Sequence, residues 1–201
     1  EMCIRDSNNI MKKGGRFLKA TGVVRRIDDL GRVVIPKEIR KTLRIKEGDP
    51  LEIFTDREGQ VILKKYSPIG ELSEFAAGYA ETLSKTTGHI ACITDKDTII
   101  AVSGGSKKEF LEQDVSKELE QLMEDKEVYT SKENSDKAMP ITKNDNNERK
   151  NNAQIVYPII SNGDTIGTVI LMAKEENKKM DEVEKKVAQS AATFLGSQMD
   201  I

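Results

Sequence analysis

The chain has few of the residues that enzymes and metal centres most often use. Its 201 residues include one histidine, two cysteines and no tryptophan, and only 4% are aromatic. Cys3 and Cys92 have neither CxxC spacing nor a nearby histidine cluster, so the sequence supports no zinc site and no redox pair. His89 leads into a predicted strand, where a packed or surface histidine is more common than a catalytic one. We therefore expect no enzyme, no metal and no cofactor.

Long hydrophobic runs and nucleotide-binding motifs are also absent. No run of about 18 apolar residues occurs, which argues against a membrane span, and residues 1–18 lack the apolar core of a secretory signal. Gly104-Gly105 lies in neither a GxxxxGK(S/T) nor a GxGxxG pattern, so a turn between strand and helix is favoured. With no disulfide framework and no membrane element, we expect a protein of a reducing bacterial cytoplasm.

What the sequence has instead is an uneven distribution of charge. The net charge of the whole chain is −2. Residues 19–65 contain 12 basic and 8 acidic side chains, a net charge of +4, whereas residues 66–201 contain 16 basic and 24 acidic side chains, a net charge of −8. A phosphate polymer is attracted to the first part and repelled by the second. The change of sign also predicts a domain boundary near residue 65.

Residues 19–65 have the pattern of short strands around one small helix. The β-branched stretches at 23–27 and 32–35 predict two strands, joined by the turn at 28–31. The stretches at 51–54 and 61–63 predict a hairpin. Fewer than about 50 residues without disulfides cannot bury a sufficient core, so pairing with a second copy is favoured.

A short helix is predicted after Pro36, which suits a first helical turn because its missing N–H would be unpaired there. Ile39 and Leu43 are four residues apart and are expected to form the buried side. The spacing of the cationic residues predicts a basic stripe on the opposite side, formed by Lys37, Arg40, Lys41 and Arg44.

The segment GVVRRIDDLGRVVIPKEIRKTLRIKEGDPLEIF resembles the N-terminal domain of the AbrB transition-state regulator family. The resemblance implies a dimeric swapped-hairpin β-barrel that presents arginines to double-stranded DNA. By position it implicates six DNA contacts, of which Lys37 is the weakest candidate: Arg25, Arg26, Arg32, Lys37, Arg40 and Lys41. A solvated face balanced by neighbouring carboxylates is the alternative interpretation of these residues.

Arginine suits a DNA contact because its planar fork pairs bidentately with phosphate oxygens or a guanine edge. Arg25 and Arg26 are adjacent and would point to opposite faces of a regular strand, so only a bend aims both at DNA. Because half of the basic residues lie on strands or turns, the surface would depend on phosphate contacts and DNA deformability. We therefore expect loosely defined A/T-rich targets.

Residues 66–71 are expected to form a linker, and residues 72–201 a second domain of α+β class. Its predicted elements are a helix at 72–83, strands at 90–94 and 98–102, a helix at 111–122, a hairpin at 155–172 and a closing helix at 183–195. The order resembles that of a GAF domain, a sensor fold that holds small ligands. The family's cyclic-nucleotide signature is absent, so any effector is unidentified. Residues 127–152 are expected to be a mobile loop, either a solvated connection or a cover over a ligand.

The order of the two domains is similar to that of sporulation regulators of endospore-forming bacteria. The resemblance implies a DNA-binding transcriptional regulator that activates and represses sporulation genes in the forespore. It would be a homodimer through the N-terminal domain and a homotetramer through the helices of the C-terminal domain. Residues 1–18 fit neither domain and are expected to be extraneous or disordered.

Three alternatives belong to other functional classes. An antitoxin-like autorepressor would share the swapped barrel but carry a disordered toxin-binding tail. The helices and strands predicted over residues 72–201 argue against such a tail. A GAF-type sensor of small molecules would have no direct role at DNA. A small GAF-type reductase would need several reactive cysteines near a pocket, and Cys92 alone supplies no resolving partner.

Overall fold

The computed structural model describes residues 10–13, 16–19, 21–57, 59–71, 73–131, 138–145, 153–174 and 180–199. The chain divides into two compact units, Glu1–Lys65 and Tyr66–Ile201. This boundary coincides with the point where the net charge changes sign.

The first unit begins with a short hairpin. Strands β1 (Ile10–Lys13) and β2 (Arg16–Lys19) pair antiparallel, with Met11 opposite Leu18. This hairpin includes residues from the segment that was expected to lie outside the fold. Residues 1–9 lie outside the described part of the chain.

The described part of the first unit also contains one helix and a second hairpin. Helix α1 (Lys37–Thr42) follows Pro36, as predicted, and its first backbone bond runs from the Arg40 amide to the Pro36 carbonyl at 2.9 Å. Strands β3 (Leu51–Thr55) and β4 (Val61–Lys65) form the predicted antiparallel hairpin.

The two strands predicted on either side of the 28–31 turn are wrong for the single chain, because residues 23–27 and 32–35 form no strand in it. The turn itself is closed: the Asp28 amide donates to the Arg32 carbonyl and the Gly31 amide to the Asp28 carbonyl, each at 3.0 Å. A strand requires a partner along its length, and the described residues supply none to these segments.

Apolar side chains of the first unit are left in solvent. No described side chain between residues 21 and 65 is buried. Ile39 is half-buried and Leu43 is 54% exposed, so the predicted buried side of α1 is not formed within one chain. The other exposed large apolar residues of this stretch are Val23, Val24, Ile27, Leu30, Val33, Val34, Ile53, Phe54, Val61, Ile62 and Leu63. Such continuous apolar exposure is unfavourable in water.

The second unit is built on a five-stranded antiparallel sheet with the order β6-β5-β9-β8-β7. Its strands are β5 (Ile90–Thr94), β6 (Ile99–Ser103), β7 (Tyr129–Ser131), β8 (Gln154–Ser161) and β9 (Asp164–Met172). Strand β9 pairs with both β5 and β8, which places it at the centre.

The predicted hairpin between β8 and β9 is confirmed. Asn162 and Gly163 both have positive φ, 50° and 84°. Asparagine and glycine tolerate this left-handed backbone, which two-residue hairpin turns require. The Asn-Gly pair therefore fixes the register of the two longest strands.

The described residues of the second unit form five helices around the sheet: α2 (Pro68–Glu71), α3 (Ser73–Thr87), α4 (Lys107–Phe110), α5 (Lys117–Asp125) and α6 (Glu182–Ser197). Helix α2 occupies most of the segment that was expected to be a linker. None of the described helices is long and apolar enough to cross a bilayer.

The sheet buries two separate apolar clusters. Val169 and Leu171 belong to the first cluster, together with buried residues of α3 and α6, such as Ala80 and Leu195. Ile170 lies between them in sequence and belongs to the second cluster, with α4 and α5. Alternate residues of a strand point to opposite faces, so the two clusters lie on opposite faces of the sheet.

The helix predicted at 111–122 begins later than expected, at Lys117. Val115 instead forms a β-bridge with Thr142, and Asp114 forms one with Thr98. Ser116 caps α5 by accepting from the Leu119 amide at 3.0 Å. The apolar periodicity was correct about burial but could not reveal these long-range bridges.

Residues 138–145, which we call the strap, contradict the prediction of a mobile loop over that stretch. The Ser116 amide donates to the Ile141 carbonyl at 2.9 Å, and the Ser116 hydroxyl to the Pro140 carbonyl at 2.6 Å. Ile141 is buried in the second cluster. In the rest of that predicted loop, Tyr129–Ser131 forms β7, which also departs from the prediction, whereas residues 132–137 and 146–152 lie outside the described residues.

Candidate nucleic-acid interface

The Asp28 carboxylate organises the turn between residues 28 and 32. One oxygen, Oδ1, accepts from the amides of Leu30 at 3.0 Å and Arg32 at 2.7 Å. The other, Oδ2, accepts from Nε of Arg32 at 2.8 Å. Gly31 adopts the left-handed φ of 76° that this tight reversal needs.

These bonds stabilise the ionised carboxyl group. The backbone and side-chain hydrogen bonds from Arg32 hold the pKa of Asp28 below its ordinary value of 3.8. Hydrogen bonds to the charged form of an acid favour that form. Asp28 is therefore a carboxylate at neutral pH, paired with a candidate DNA contact.

Helix α1 presents the second group of basic residues. Arg40 and Lys41 lie in its last turn, where cations interact favourably with the helix dipole. The chain then turns sharply at Arg44, whose φ is 52°, and the Ile45 amide donates to the Arg40 carbonyl at 2.8 Å. A helix of six residues is too short to serve as a major-groove reading helix on its own.

The six predicted DNA contacts differ in their surroundings. Five are exposed, whereas Arg40 is half-buried and its Nε is buried without a hydrogen-bond partner. In the stretches that the structure describes, an ion pair is formed by one of the six, between Arg32 and Asp28. The exposed members are Arg25, Arg26, Arg32, Lys37 and Lys41.

Two residues that the sequence analysis did not single out, Asp49 and Lys65, connect the segment after α1 to the second hairpin. Nζ of Lys65 donates to the Arg44 carbonyl at 3.1 Å and lies 3.9 Å from the Asp49 carboxylate. The Asp49 carboxylate also accepts from the Lys46 amide at 2.8 Å. Lys65 is 21 residues from Arg44, and no local pattern reveals such a pair.

The position of Asp28 could have been found from the sequence. An acidic residue four positions before an arginine, around a glycine turn, is a spacing at which the two side chains can meet. The sequence analysis counted Asp28 only as a charge that balances the basic face. In the structure it is the direct partner of one of the basic residues.

Two residues of the second unit that the sequence analysis considered for catalysis or metal binding, His89 and Cys92, are both buried. His89 is buried, and its Nε2 lies 3.9 Å from the Glu184 carboxylate. Cys92 is fully buried, as expected of a small apolar residue in a strand. Among the residues with described positions, no three His, Cys, Asp or Glu side chains are grouped so as to hold a metal ion.

Both parts of the chain match known families. Residues 71–200 match the family described as stage V sporulation protein T C-terminal, transcription factor. Residues 24–71 match the family described as antidote-toxin recognition MazE, bacterial antitoxin.

Two relatives come from Bacillus subtilis (strain 168). The chain is 51% identical to stage V sporulation protein T over 183 residues, which is 91% of this chain and 99% of that protein. It is 62% identical to transition state regulatory protein AbrB over 52 residues, which is 26% of this chain and 53% of that protein. The first alignment spans both units, and the second supports the AbrB resemblance of the first unit.

A solved structure supports the fold of the second unit. The GAF domain of PixJ from Thermosynechococcus elongatus superposes with a TM-score of 0.52 at 13% identity, covering 68% of this chain and 89% of that one. A structural similarity at such low sequence identity shows the fold alone. The chain belongs to the stage V sporulation protein T family of sporulation transcription regulators, with an AbrB-type N-terminal domain and a GAF-like C-terminal domain.

Proposed function

We propose that the first unit binds double-stranded DNA through Arg25, Arg26, Arg32, Lys37, Arg40 and Lys41. The observation that carries this proposal is the exposure of five of these cations within residues 19–65, which have a net charge of +4, whereas residues 66–201 have a net charge of −8. Neutralising phosphates releases condensed counterions, so such a surface gains affinity without reading bases. Arginines then add geometric selectivity through their planar forks.

The targets are A/T-rich and loosely defined. Helix α1 is short and half of the candidate contacts lie outside it. A surface of this kind positions itself on phosphates and responds to the width and deformability of the grooves.

The first unit acts as a homodimer in a swapped-hairpin barrel. Its exposed apolar residues, such as Val24 at 89% and Val34 at 68%, require a cover. Residues 23–27 and 32–35 also need strand partners, and the described part of one chain supplies none to them. A second copy meets both needs.

The second unit pairs these dimers into a homotetramer. Phe75 and Tyr79 on α3 and Phe194 on α6 form an aromatic cluster, with ring centroids 5.6 to 6.1 Å apart. Phe75 is 42% exposed and Phe194 is 41% exposed. Exposed aromatic groups on helices are typical of protein interfaces. Two DNA-binding dimers held together gain apparent affinity through effective concentration.

In the cell, the protein acts in the bacterial cytoplasm, within the forespore, both activating and repressing genes. This finer role rests on the relationship to stage V sporulation protein T. No cofactor is proposed, and any effector of the GAF-like domain is an unidentified small molecule. The antitoxin alternative is supported by the match of residues 24–71, but a folded domain follows where a disordered toxin-binding tail would be needed.

The test is fluorescence anisotropy of a labelled A/T-rich duplex titrated with the full chain across a salt series. Arg25→Ala/Lys41→Ala should weaken binding and flatten the salt dependence by about two phosphate equivalents. The control, Lys108→Ala/Lys117→Ala, removes two exposed cations from the second unit and should leave both quantities unchanged. Absence of wild-type binding at low salt would overturn the proposal, as would equal effects of both double variants.

A further inference from the structure

We propose that Asp28 is a positioning residue that sets DNA sequence discrimination by fixing the orientation of Arg32. This inference rests on the proposed DNA contact by Arg32. It assigns a function to a carboxylate that lies within a surface otherwise suited to phosphate.

A carboxylate on a DNA-binding face has a clear disadvantage. Its charge repels phosphates and lowers affinity for every sequence alike. The neighbouring Asp29 is exposed and has this disadvantage only, since it makes no bond within the described stretches. Asp28 differs because both of its oxygens are engaged, and one of them holds an arginine.

The geometry leaves the useful end of Arg32 available. Asp28 accepts from Nε, which lies on the side of the guanidinium nearer its own backbone. The two terminal nitrogens make no hydrogen bond within the described stretches, and the Arg32 side chain is 70% exposed. The fork that pairs with a guanine edge or with phosphate oxygens is therefore free but restrained.

Holding the Arg32 side chain in one orientation changes DNA sequence selectivity more than it changes the overall affinity for DNA. A long arginine side chain has considerable rotamer freedom, and ordering it on binding costs free energy. A carboxylate that holds Nε reduces this cost in one orientation only. An arginine released from that bond can reach phosphates in many orientations, so it retains general affinity but reads sequence less well.

Asp28→Asn separates the two functions of the carboxylate. An asparagine Oδ1 still accepts from the amides of Leu30 and Arg32, as asparagine does in turns of this type. Its other polar group is the amide NH2, which only donates hydrogen bonds and therefore cannot accept from Nε of Arg32. Asp29→Asn is the matched control, because it removes the same charge one residue away and leaves the Asp28–Arg32 bond intact.

The probes are the duplex that the wild-type full chain enriches most strongly from a random-sequence library, and a scrambled duplex of the same length and composition. Discrimination is the ratio of the two dissociation constants at one salt concentration. Both variants should bind the scrambled duplex more tightly than wild type. Asp28→Asn should also lose about three- to tenfold in discrimination, part of what a bidentate arginine contributes, whereas Asp29→Asn should lose none.

The Arg32→Ala background separates positioning from a structural effect on the turn. If Asp28 acts through Arg32, adding Asp28→Asn to Arg32→Ala should not change discrimination further. A loss of discrimination in both backgrounds would mean that Asp28 only stabilises the turn, and would overturn the inference.

Two further outcomes separate this inference from the proposed function. Wild-type binding with equal discrimination by wild type and Asp28→Asn refutes the positioning role but leaves the DNA-binding proposal standing. Failure of the wild type to bind either duplex at low salt refutes both.

Discussion

Both polar atoms of the buried Gln154 side chain bond to the backbone of Met139. Oε1 accepts from the Met139 amide at 3.0 Å, and Nε2 donates to the Met139 carbonyl at 3.3 Å. The side chain thus pairs with the strap as a neighbouring strand would. It connects the strap to β8 at the edge of the second cluster, next to the site where Ile141 is buried.

Gln154→Ala should lower the free energy of unfolding by about 1 to 3 kcal/mol, because it leaves the amide and carbonyl of Met139 without these partners. Chemical denaturation measures the change. Gln189→Ala, at an exposed position of α6, is the control and should stay within about 0.5 kcal/mol of wild type. Equal stability of the two variants would show that the strap is not held by Gln154.

Gly196→Ala should destabilise the second unit by about 1 to 3 kcal/mol, the usual range for overpacking. A Cβ at this position would overlap the Ile160 carbonyl oxygen, because α6 crosses β8 at very short range there. Thermal unfolding measures the effect. Gly78→Ala, in α3 with open space around the added atom, should instead stabilise by about 0.5 to 1 kcal/mol. Stability changes of the same sign in both variants would contradict the close approach of α6 to β8.

Phe75→Ser/Phe194→Ser should reduce the mass of the assembly in solution from four chains to two. The aromatic cluster on α3 and α6 is the proposed contact between dimers, and its removal leaves the first unit's pairing intact. Light scattering after size exclusion measures the mass. Val128→Ser removes an exposed apolar residue elsewhere, 42% exposed, and should keep four chains. A tetramer of the double variant would place that interface elsewhere.

Titration of Asp28 should show a midpoint below 3.8, because Arg32 donates two hydrogen bonds to its ionised form. A pKa lowered by folding contributes stability that is present above the unfolded value and is lost as the pH falls through the folded value. Carbon-detected NMR of the Asp28 carboxyl group measures the midpoint. Arg32→Ala keeps the backbone hydrogen bond and removes the side-chain one, so it should move the midpoint upward, and an unchanged midpoint in that variant would contradict the side-chain contribution.

Local chemistry predicted those parts of the fold that depend on neighbouring residues. Asn162-Gly163 gave the β8–β9 turn because few other pairs adopt two successive positive φ angles. The periodicity of apolar residues placed α3 and α6 correctly to within a few residues. Pro36 marked the start of α1 because its ring favours a first helical turn.

The failures are at positions where distant residues decide the structure. Val115 continues a helical pattern but pairs with Thr142, 27 positions away. Arg40 belongs to the predicted basic stripe, yet its Nε is buried. In the candidate site, the cationic residues could be named from their position in the motif. The bond between Asp28 and Arg32 was missed because charge counting treats the two residues as cancelling, although their spacing around the glycine turn is one at which the side chains can meet.

The uncovered apolar residues of the first unit have a consequence for the timing of regulation. A unit whose interior is completed by a second copy is most stable when protein is abundant, since association shifts folding by mass action. At low concentration such units would be unpaired and unable to hold DNA. In the proposed tetramer, joining chains through their second domains would raise the local concentration of first domains and offset that loss. Regulation by this protein would then begin over a narrow range of its own abundance, rather than in proportion to each molecule made.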